Sequence, residues 1–291
     1  MAKTREFVLY SDATMSNPNG DMINDNRPRQ DERTGCLEMS DVRIKRYIRD
    51  EWVNRGEKIF VKPVKNDRGD YIDCKGVAKK VITEEGIKDA DLEQKLKDEY
   101  IDVKLFGAVV TAPKFNITGP LQVMWSRSIN QADIKFAQGT SVFTSKGEAS
   151  QGTIWSKYFT PYALFKTYMV YNDMVAKRQN ISVSDDDIEN FKQTLLTGIK
   201  SYKSTSKNQM PRLLAEIVYK DNYIDGEMDY IQIEKKVPDL EQRGIEDFTF
   251  DLSPLMKYYD AKKEHIEKIN IYQHEKVVLA GKPGEFNYSE I

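Results

Sequence analysis

The chain has 291 residues, of which 40% are hydrophobic and 31% charged, enough to build a sizeable core in one elaborated domain or two small ones. Its 44 basic and 46 acidic side chains nearly cancel, so no global charge draws it to nucleic acid, and any such affinity must come from how the charges are distributed. Two distant cysteines, Cys36 and Cys74, exclude a disulfide framework; with no signal-peptide core and no run of about 18 apolar residues, the expectation is a cytoplasmic protein without a membrane span.

Phe7-Val8-Leu9-Tyr10 reads as a buried first strand. Ser11 to Gly35 reads as a long loop, dense in turn formers between Ser16 and Asp21, and loops this long inside a compact chain usually carry function or are disordered. Ser40 is placed to cap a helix from Asp41 to Asn54, whose Ile44, Tyr47, Ile48 and Trp52 share one face while Lys45, Arg46 and Arg49 form a basic edge beside it. Lys58 to Val64 reads as a second strand, Lys65 to Asp102 as a charged helical insertion, and Ile101 to Ala112 as an apolar helix or turn. Gly119 to Ser128 alternates like a strand through Leu121, Val123 and Trp125. Residues 130–157, rich in Gly, Ser, Thr and Gln, predict a protruding hairpin, followed by an aromatic strand over 158–171. Ser184 and the three aspartates after it open a helix to about Tyr202, and Arg212 to Tyr219 is another strand. The order strand, helix, strand, occurring twice, fits an α+β, ferredoxin-like or RRM-like core with large insertions.

Charge is segregated along this order. Residues 104–180 carry nine basic and three acidic side chains, whereas residues 221–251 carry ten acids and three bases. The basic stretch is interleaved with Trp125, Phe136, Phe143, Trp155 and Tyr158, a mixture suited to stacking bases and reaching phosphates, though also ordinary for strands. No Walker loop, GxGxxG or GxSxG occurs, and His265 and His274 stand without a cysteine or carboxylate cluster, so no catalytic residue, metal or cofactor is called. Asp12, Asp21, Asp25 and Asp31 surround the first loop, where Asp is first of all a turn former.

Three stretches occur together: Asn17-Pro18-Asn19-Gly20-Asp21 with Arg27-Pro28-Arg29-Gln30-Asp31; Ser40-Asp41-Val42-Arg43-Ile44-Lys45-Arg46-Tyr47-Ile48-Arg49; and Leu105-Phe106-Gly107-Ala108 with Ile117-Thr118-Gly119-Pro120 and Arg127-Ser128. Their order and spacing resemble the backbone subunit of type I CRISPR Cascade complexes, the seventh Cas protein family, with type I-B nearest. The resemblance implies an RRM-like palm over residues 1–220, a helical or web-like insertion at about 65–102 and a thumb-like β-hairpin at about 130–157; the tail, 221–291, departs from the family pattern and is expected as a C-terminal extension packing on the palm or on a neighbouring subunit. It further implies a non-catalytic protein that polymerises along CRISPR guide RNA and presents it for pairing with target DNA. Its partners would be copies of itself, other Cascade subunits and a recruited nuclease-helicase.

Carried onto this chain, the resemblance places guide-RNA contacts at Asn17, Asn19, Arg27, Arg29, Ser40, Lys45, Arg46, Arg49, Arg127, Ser128, Ser206 and Lys207, with Val142, Phe143 and Lys146 near the thumb tip. Three cations at helical spacing follow a phosphate backbone without reading bases. Two other readings stay open: an RNA-guided endoribonuclease using Asp21, and a stand-alone RNA-binding protein.

Overall fold

A computed structural model describes residues 1–140 and 154–291. In chain order, β1 (Arg5–Ser16) is followed by two short strands, β2 (Gly20–Asp21) and β3 (Arg27–Pro28), then by β4 (Cys36–Met39) and α1 (Asp41–Asn54). Next come α2 (Cys74–Glu85), α3 (Leu92–Glu99) and α4 (Ile101–Phe106), the ribbon β5 (Gly107–Thr111) and β6 (Lys114–Thr118), and strands β7 (Leu121–Val123), β8 (Ser126–Gln131) and β9 (Lys135–Thr140). The long β10 (Ile154–Tyr171) leads through α5 (Asp173–Arg178) and α6 (Asp185–Ser201) to β11 (Gln209–Tyr219). The acidic tail adds β12 (Gln232–Lys235), β13 (Phe248–Asp251), α7 (Ser253–Lys262), β14 (Ile266–Gln273), β15 (Val278–Ala280) and β16 (Asn287–Glu290).

A nine-stranded sheet organises the molecule in the order β16-β14-β11-β1-β10-β8-β4, with β7 and β9 also pairing to β10. Its centre, β11-β1-β10-β7, is antiparallel throughout. Side chains alternate across β1 with period two: Phe7 and Leu9 enter the core beneath the helices, whereas Val8 and Tyr10 enter a second core on the opposite face. On the helical side, Ile44, Tyr47, Ile48 and Trp52 of α1 meet Phe191 and Leu195 of α6 over the sheet, and Phe191 contacts Phe7 edge-on with ring centroids 5.8 Å apart. Gly198 permits this approach, since a Cβ there would stand 2.6 Å from the Tyr47 carbonyl oxygen. On the other side, Phe248, Phe250, Leu252 and Leu255 from the tail cover Tyr10, Tyr162 and Leu213. β14 lengthens the sheet beyond β11, and the small sheet β12-β13-β15 lies in the same tail. The central strands are therefore buried on both faces, which accounts for the unbroken apolar run Phe7-Val8-Leu9-Tyr10 within β1.

Local chemistry explains where the elements stop. α6 begins on a capping box, with Ser184 and Asp187 each accepting from the other's backbone. Ser40 is the N-cap residue of α1, as its position implies, but its hydroxyl makes no cap bond and is turned to Asn19 instead. The strand expected at Lys58 to Val64 does not form. The buried Asp102 carboxylate takes the Phe60 and Val61 N–H groups at 2.9 Å each, and Pro63 has no N–H to offer a ladder. The strand expected over Gly119 to Ser128 divides into β7 and β8, leaving Trp125 55% exposed between them. The loop expected from Ser11 is shorter, because β1 continues to Ser16 against β10. Its buried Asp12 is compensated there by Arg212 at 2.8 Å and the Tyr162 hydroxyl at 3.1 Å.

A candidate nucleic-acid interface at the head of helix α1

Three segments distant in sequence meet where α1 begins: the turn 17–20 after β1, the first turn of α1, and the loop 204–208 before β11. Asn17 donates its N–H to the Ser206 carbonyl at 2.9 Å, and its side-chain amide donates to the Asn26 carbonyl at 2.6 Å. Asn19 Oδ1 accepts from both the Ser40 N–H (3.1 Å) and the Ser40 hydroxyl (3.0 Å), tying the turn to the helix. Its own carbonyl receives the Arg29 N–H at 3.0 Å. Gly20 packs against Asn26, whose Oδ1 lies 1.8 Å from the position a Cβ would take, so a side chain here would displace the Asn26 amide.

Two cations stand in this assembly without a carboxylate among the described residues. Lys207 donates to the carbonyls of Asn17 and Pro18. Arg43 lies with its guanidinium carbon 4.0 Å from the Tyr47 ring centre and 4.8 Å from that of Tyr202. Its Nε and Nη2 are buried and have no hydrogen-bond partner among the described residues. Burial, aided by the nearby Arg43 charge, pushes the Lys207 ammonium down to about 8. Half-buried cations are usually paired, so two without counter-charges among the described residues, beside a helix N-terminus, make a site that gains by taking up an anion. Of the residues expected to contact RNA, this site unites Asn17, Asn19, Ser40, Ser206 and Lys207. Arg43 was not among them, although a cation four residues before Tyr47 on a helix is a readable pairing signal.

The remaining expected residues fall elsewhere. Lys45 pairs with Asp41 at 3.0 Å, Arg46 with Asp50 at 2.7 Å, and Arg49 with Asp102 at 3.1 Å, so the basic edge of α1 is largely neutralised within the chain. That edge borders a groove of about 680 Å³ walled by Val42, Phe60, Val61, Phe106 and Val109. Arg27 and Arg29 line a smaller polar hollow with Asp21, and the Arg29 guanidinium lies 3.5 Å from that carboxylate. Asp21 itself accepts from the Asn24 amide at 2.8 Å and the Ile23 N–H at 3.2 Å, bonds that hold its carboxyl below the usual range and make it a turn former. Arg127 is half exposed and bound to Asp31 and Thr34. Ser128, by contrast, is buried, and its hydroxyl lies between the Leu37 N–H (2.8 Å) and the Asn130 carbonyl (2.5 Å). Val142, Phe143 and Lys146 lie outside the described residues.

β9 and the first part of β10 form an exposed two-stranded arm, in register from Lys135–Phe159 to Thr140–Ile154. Trp155, Lys157, Phe159 and Lys135 share one of its faces by strand alternation. The Lys157 ammonium reaches the Thr205 carbonyl at 3.1 Å, which connects the arm to the loop that carries Lys207. Among the described residues no group of three or more His, Cys, Asp or Glu is arranged to hold a metal, and no helix is long and apolar enough to cross a membrane.

Comparison with known proteins bears on this arrangement. The family model described as CRISPR-associated protein Cas7 matches residues 3–253. The CRISPR-associated protein Cas7 of Haloferax volcanii is 25% identical over 299 aligned positions, which span 91% of this chain and 85% of that protein. A chain of a pre-nicking CRISPR RNA-guided surveillance complex is similar in fold, with a TM-score of 0.59 at 13% identity over 99% of this chain and 96% of its own. A chain of another CRISPR RNA-guided surveillance complex has a TM-score of 0.51 at 12% identity, over 94% of this chain and 89% of its own.

Proposed function

The chain belongs to the CRISPR-associated Cas7 family, and on that premise we propose that it is the backbone subunit of a type I surveillance complex, polymerising along guide RNA and holding it for pairing with target DNA. The observation that carries the RNA-binding part is the pair of half-buried cations without a carboxylate among the described residues, Arg43 and Lys207, set against the turn 17–20 at the head of α1. Such a site binds a phosphate by charge and by fixed N–H donors without consulting the base. That suits a guide whose sequence is read by base pairing rather than by protein.

The strand order β11-β1-β10-β7, with α1 and α6 on one face, supports reading the central sheet as the RRM-like palm. The other face, where an RRM would stack bases, is covered by the tail. The guide therefore runs past the edge of the palm, over the turn 17–20 and the loop 204–208, with Arg27, Arg29 and Arg127 flanking it. The β9–β10 arm takes the part of the thumb. The turn-forming bonds of Asp21 favour a non-catalytic subunit, with cutting left to a recruited nuclease-helicase in the cytoplasm.

Electron microscopy of the purified chain with CRISPR repeat–spacer RNAs of increasing spacer length tests this function. Filaments that lengthen in fixed steps with the RNA are expected. Single-copy complexes at every RNA length would exclude the backbone role and favour a stand-alone RNA-binding protein.

A further inference from the structure

Among the described residues, Ile23 and Met22 are the most exposed large apolar side chains, at 92% and 84%. They stand side by side at the tip of the turn between β2 and β3, and that turn is firmly bonded. The Asn24 and Asn26 N–H groups donate to the Asp21 carbonyl at 3.1 and 2.8 Å, and the Arg27 N–H donates to the Asn24 carbonyl at 2.8 Å. The Asp21 carboxylate takes the Ile23 N–H and the Asn24 amide as well. A single exposed apolar residue is ordinary, but two neighbours fixed outward on a bonded turn form an apolar knob that gains by being covered. Residues 21–25 hold two carboxylates and no cation. Asp21 faces Arg29, whereas Asp25 is exposed and makes no ion pair among the described residues.

The same chain carries a socket of matching character. In the wall of the 680 Å³ groove beside α1, Val42, Val61 and Val109 are exposed and unfilled by the described residues. The charged side chains that line it are Lys45, Arg46, Arg49 and Lys62 against Asp73 alone, and Asp73 accepts the Gly76 N–H at the start of α2. Lys62 is exposed and has no carboxylate partner among the described residues. The knob does not sit in its own groove, since both of its side chains are open to solvent.

We infer that the Met22–Ile23 knob of one copy of the chain seats in the groove of the next copy, with Asp25 of the knob against Lys62 of the groove. Apolar burial supplies the attraction, and the acidic flank meeting a basic rim sets the orientation. A knob and a socket at different places on one chain make a heterologous contact. Each copy added leaves one knob and one socket free, so the assembly extends instead of closing as a pair. This rests on the backbone reading above and names the surfaces by which its copies join.

The test is disulfide trapping of the full chain assembled on CRISPR repeat–spacer RNA. Cys74 lines the groove as a free thiol, its Sγ 3.6 Å from the Val109 carbonyl. Ile23→Cys, combined with Cys36→Ser to remove the other thiol, is oxidised with copper–phenanthroline and separated without reductant. A ladder of dimer, trimer and longer products, abolished by adding Cys74→Ser, is expected. A dimer with no higher rungs means a closed pair, and a product that survives Cys74→Ser joins two knobs; either overturns the inference. Monomer alone, on RNA that electron microscopy shows to carry filaments growing in fixed steps, overturns the inference and leaves the backbone reading standing. Monomer alone where no filament forms overturns both. The charge pair is tested by the chain concentration needed for half-assembly on the RNA. Asp25→Asn and Lys62→Met are each expected to raise it about threefold, and the double variant no further than either alone. Losses that multiply in the double variant, or no loss in either single one, overturn the pairing of Asp25 with Lys62.

Discussion

The Arg49 guanidinium lies 3.1 Å from the carboxylate of Asp102, a residue with no solvent exposure. The same carboxylate holds the N–H groups of Phe60 and Val61, so one buried charge fastens α1 to the segment that follows it and to α4. Arg49 thus acts within the fold, whatever its position on a basic helix edge suggests. Removing it strands the Asp102 charge in the interior. Arg49→Ala is expected to lower unfolding free energy by about 3–5 kcal/mol in urea denaturation. At temperatures where the variant is folded, its RNA affinity should show the wild-type slope against salt. A flatter slope would mean that Arg49 holds a phosphate.

What the sequence made legible, and what it hid, follows from the range of the interactions involved. α1 was readable to the residue because its apolar stripe, Ile44, Tyr47, Ile48 and Trp52, and its capping position are all local. The aspartates at 41 and 50, each four residues from a lysine or arginine, were an equally local signal that went unread, since Lys45 and Arg46 were expected to contact RNA. Arg49 could not be read this way, since its partner is 53 residues away. Nor could the cradle of Arg43 and Lys207, which depends on Tyr202 and on the turn at Asn17 meeting across the fold. The manner in which the tail covers the second sheet face was hidden as well. It needs β14 beside β11 and β13 beside β15, a parallel pairing that no short pattern announces.

Arg43 and Lys207 should carry a measurable part of the electrostatic affinity. Each cation that neutralises a phosphate releases counterions, and for single strands the logarithmic salt slope changes by about 0.7 per contact. Arg43→Ala and Lys207→Ala are each expected to flatten the slope by roughly that amount and to weaken binding alike for every RNA sequence. Affinity titrations from low to moderate salt with two unrelated RNAs check this. A sequence-dependent loss would make either residue a base reader.

Glu6 ties the tail to the palm. Buried in β1, its carboxylate accepts from the Tyr168 and Tyr219 hydroxyls and from the N–H groups of Asp225 (3.0 Å) and Gly226 (2.7 Å). Burial, with this carboxylate close by, pushes both tyrosine hydroxyls well above their ordinary range, so they stay neutral donors. Glu6→Ala would leave these donors facing a void. A loss of about 3 kcal/mol is expected, accompanied by early hydrogen exchange at 225 and 226. Late exchange there would show that the tail is held by its apolar contacts alone.

Lys207 gives the interface a pH dependence whose sign can be worked out. Its ammonium is depressed to about 8, first by burial and then by Arg43, from an ordinary value of 10.5. Between those values the unfolded chain binds more protons than the folded one, so the RNA-free protein gains stability as pH rises from about 8 toward 10.5. A phosphate beside the ammonium favours its charged form and raises its pKa, so RNA binding takes up a proton in the same window. Affinity for RNA is therefore expected to fall as pH rises above about 8, while the stability of the free chain moves the other way. Lys207→Met should lower affinity at pH 7 and flatten both trends, because no titrating charge remains at the turn. Binding isotherms and thermal melts at pH 7, 8 and 9 measure the two trends on one preparation. Parallel trends, or an unaltered pH profile in Lys207→Met, would place the ammonium away from the bound phosphate.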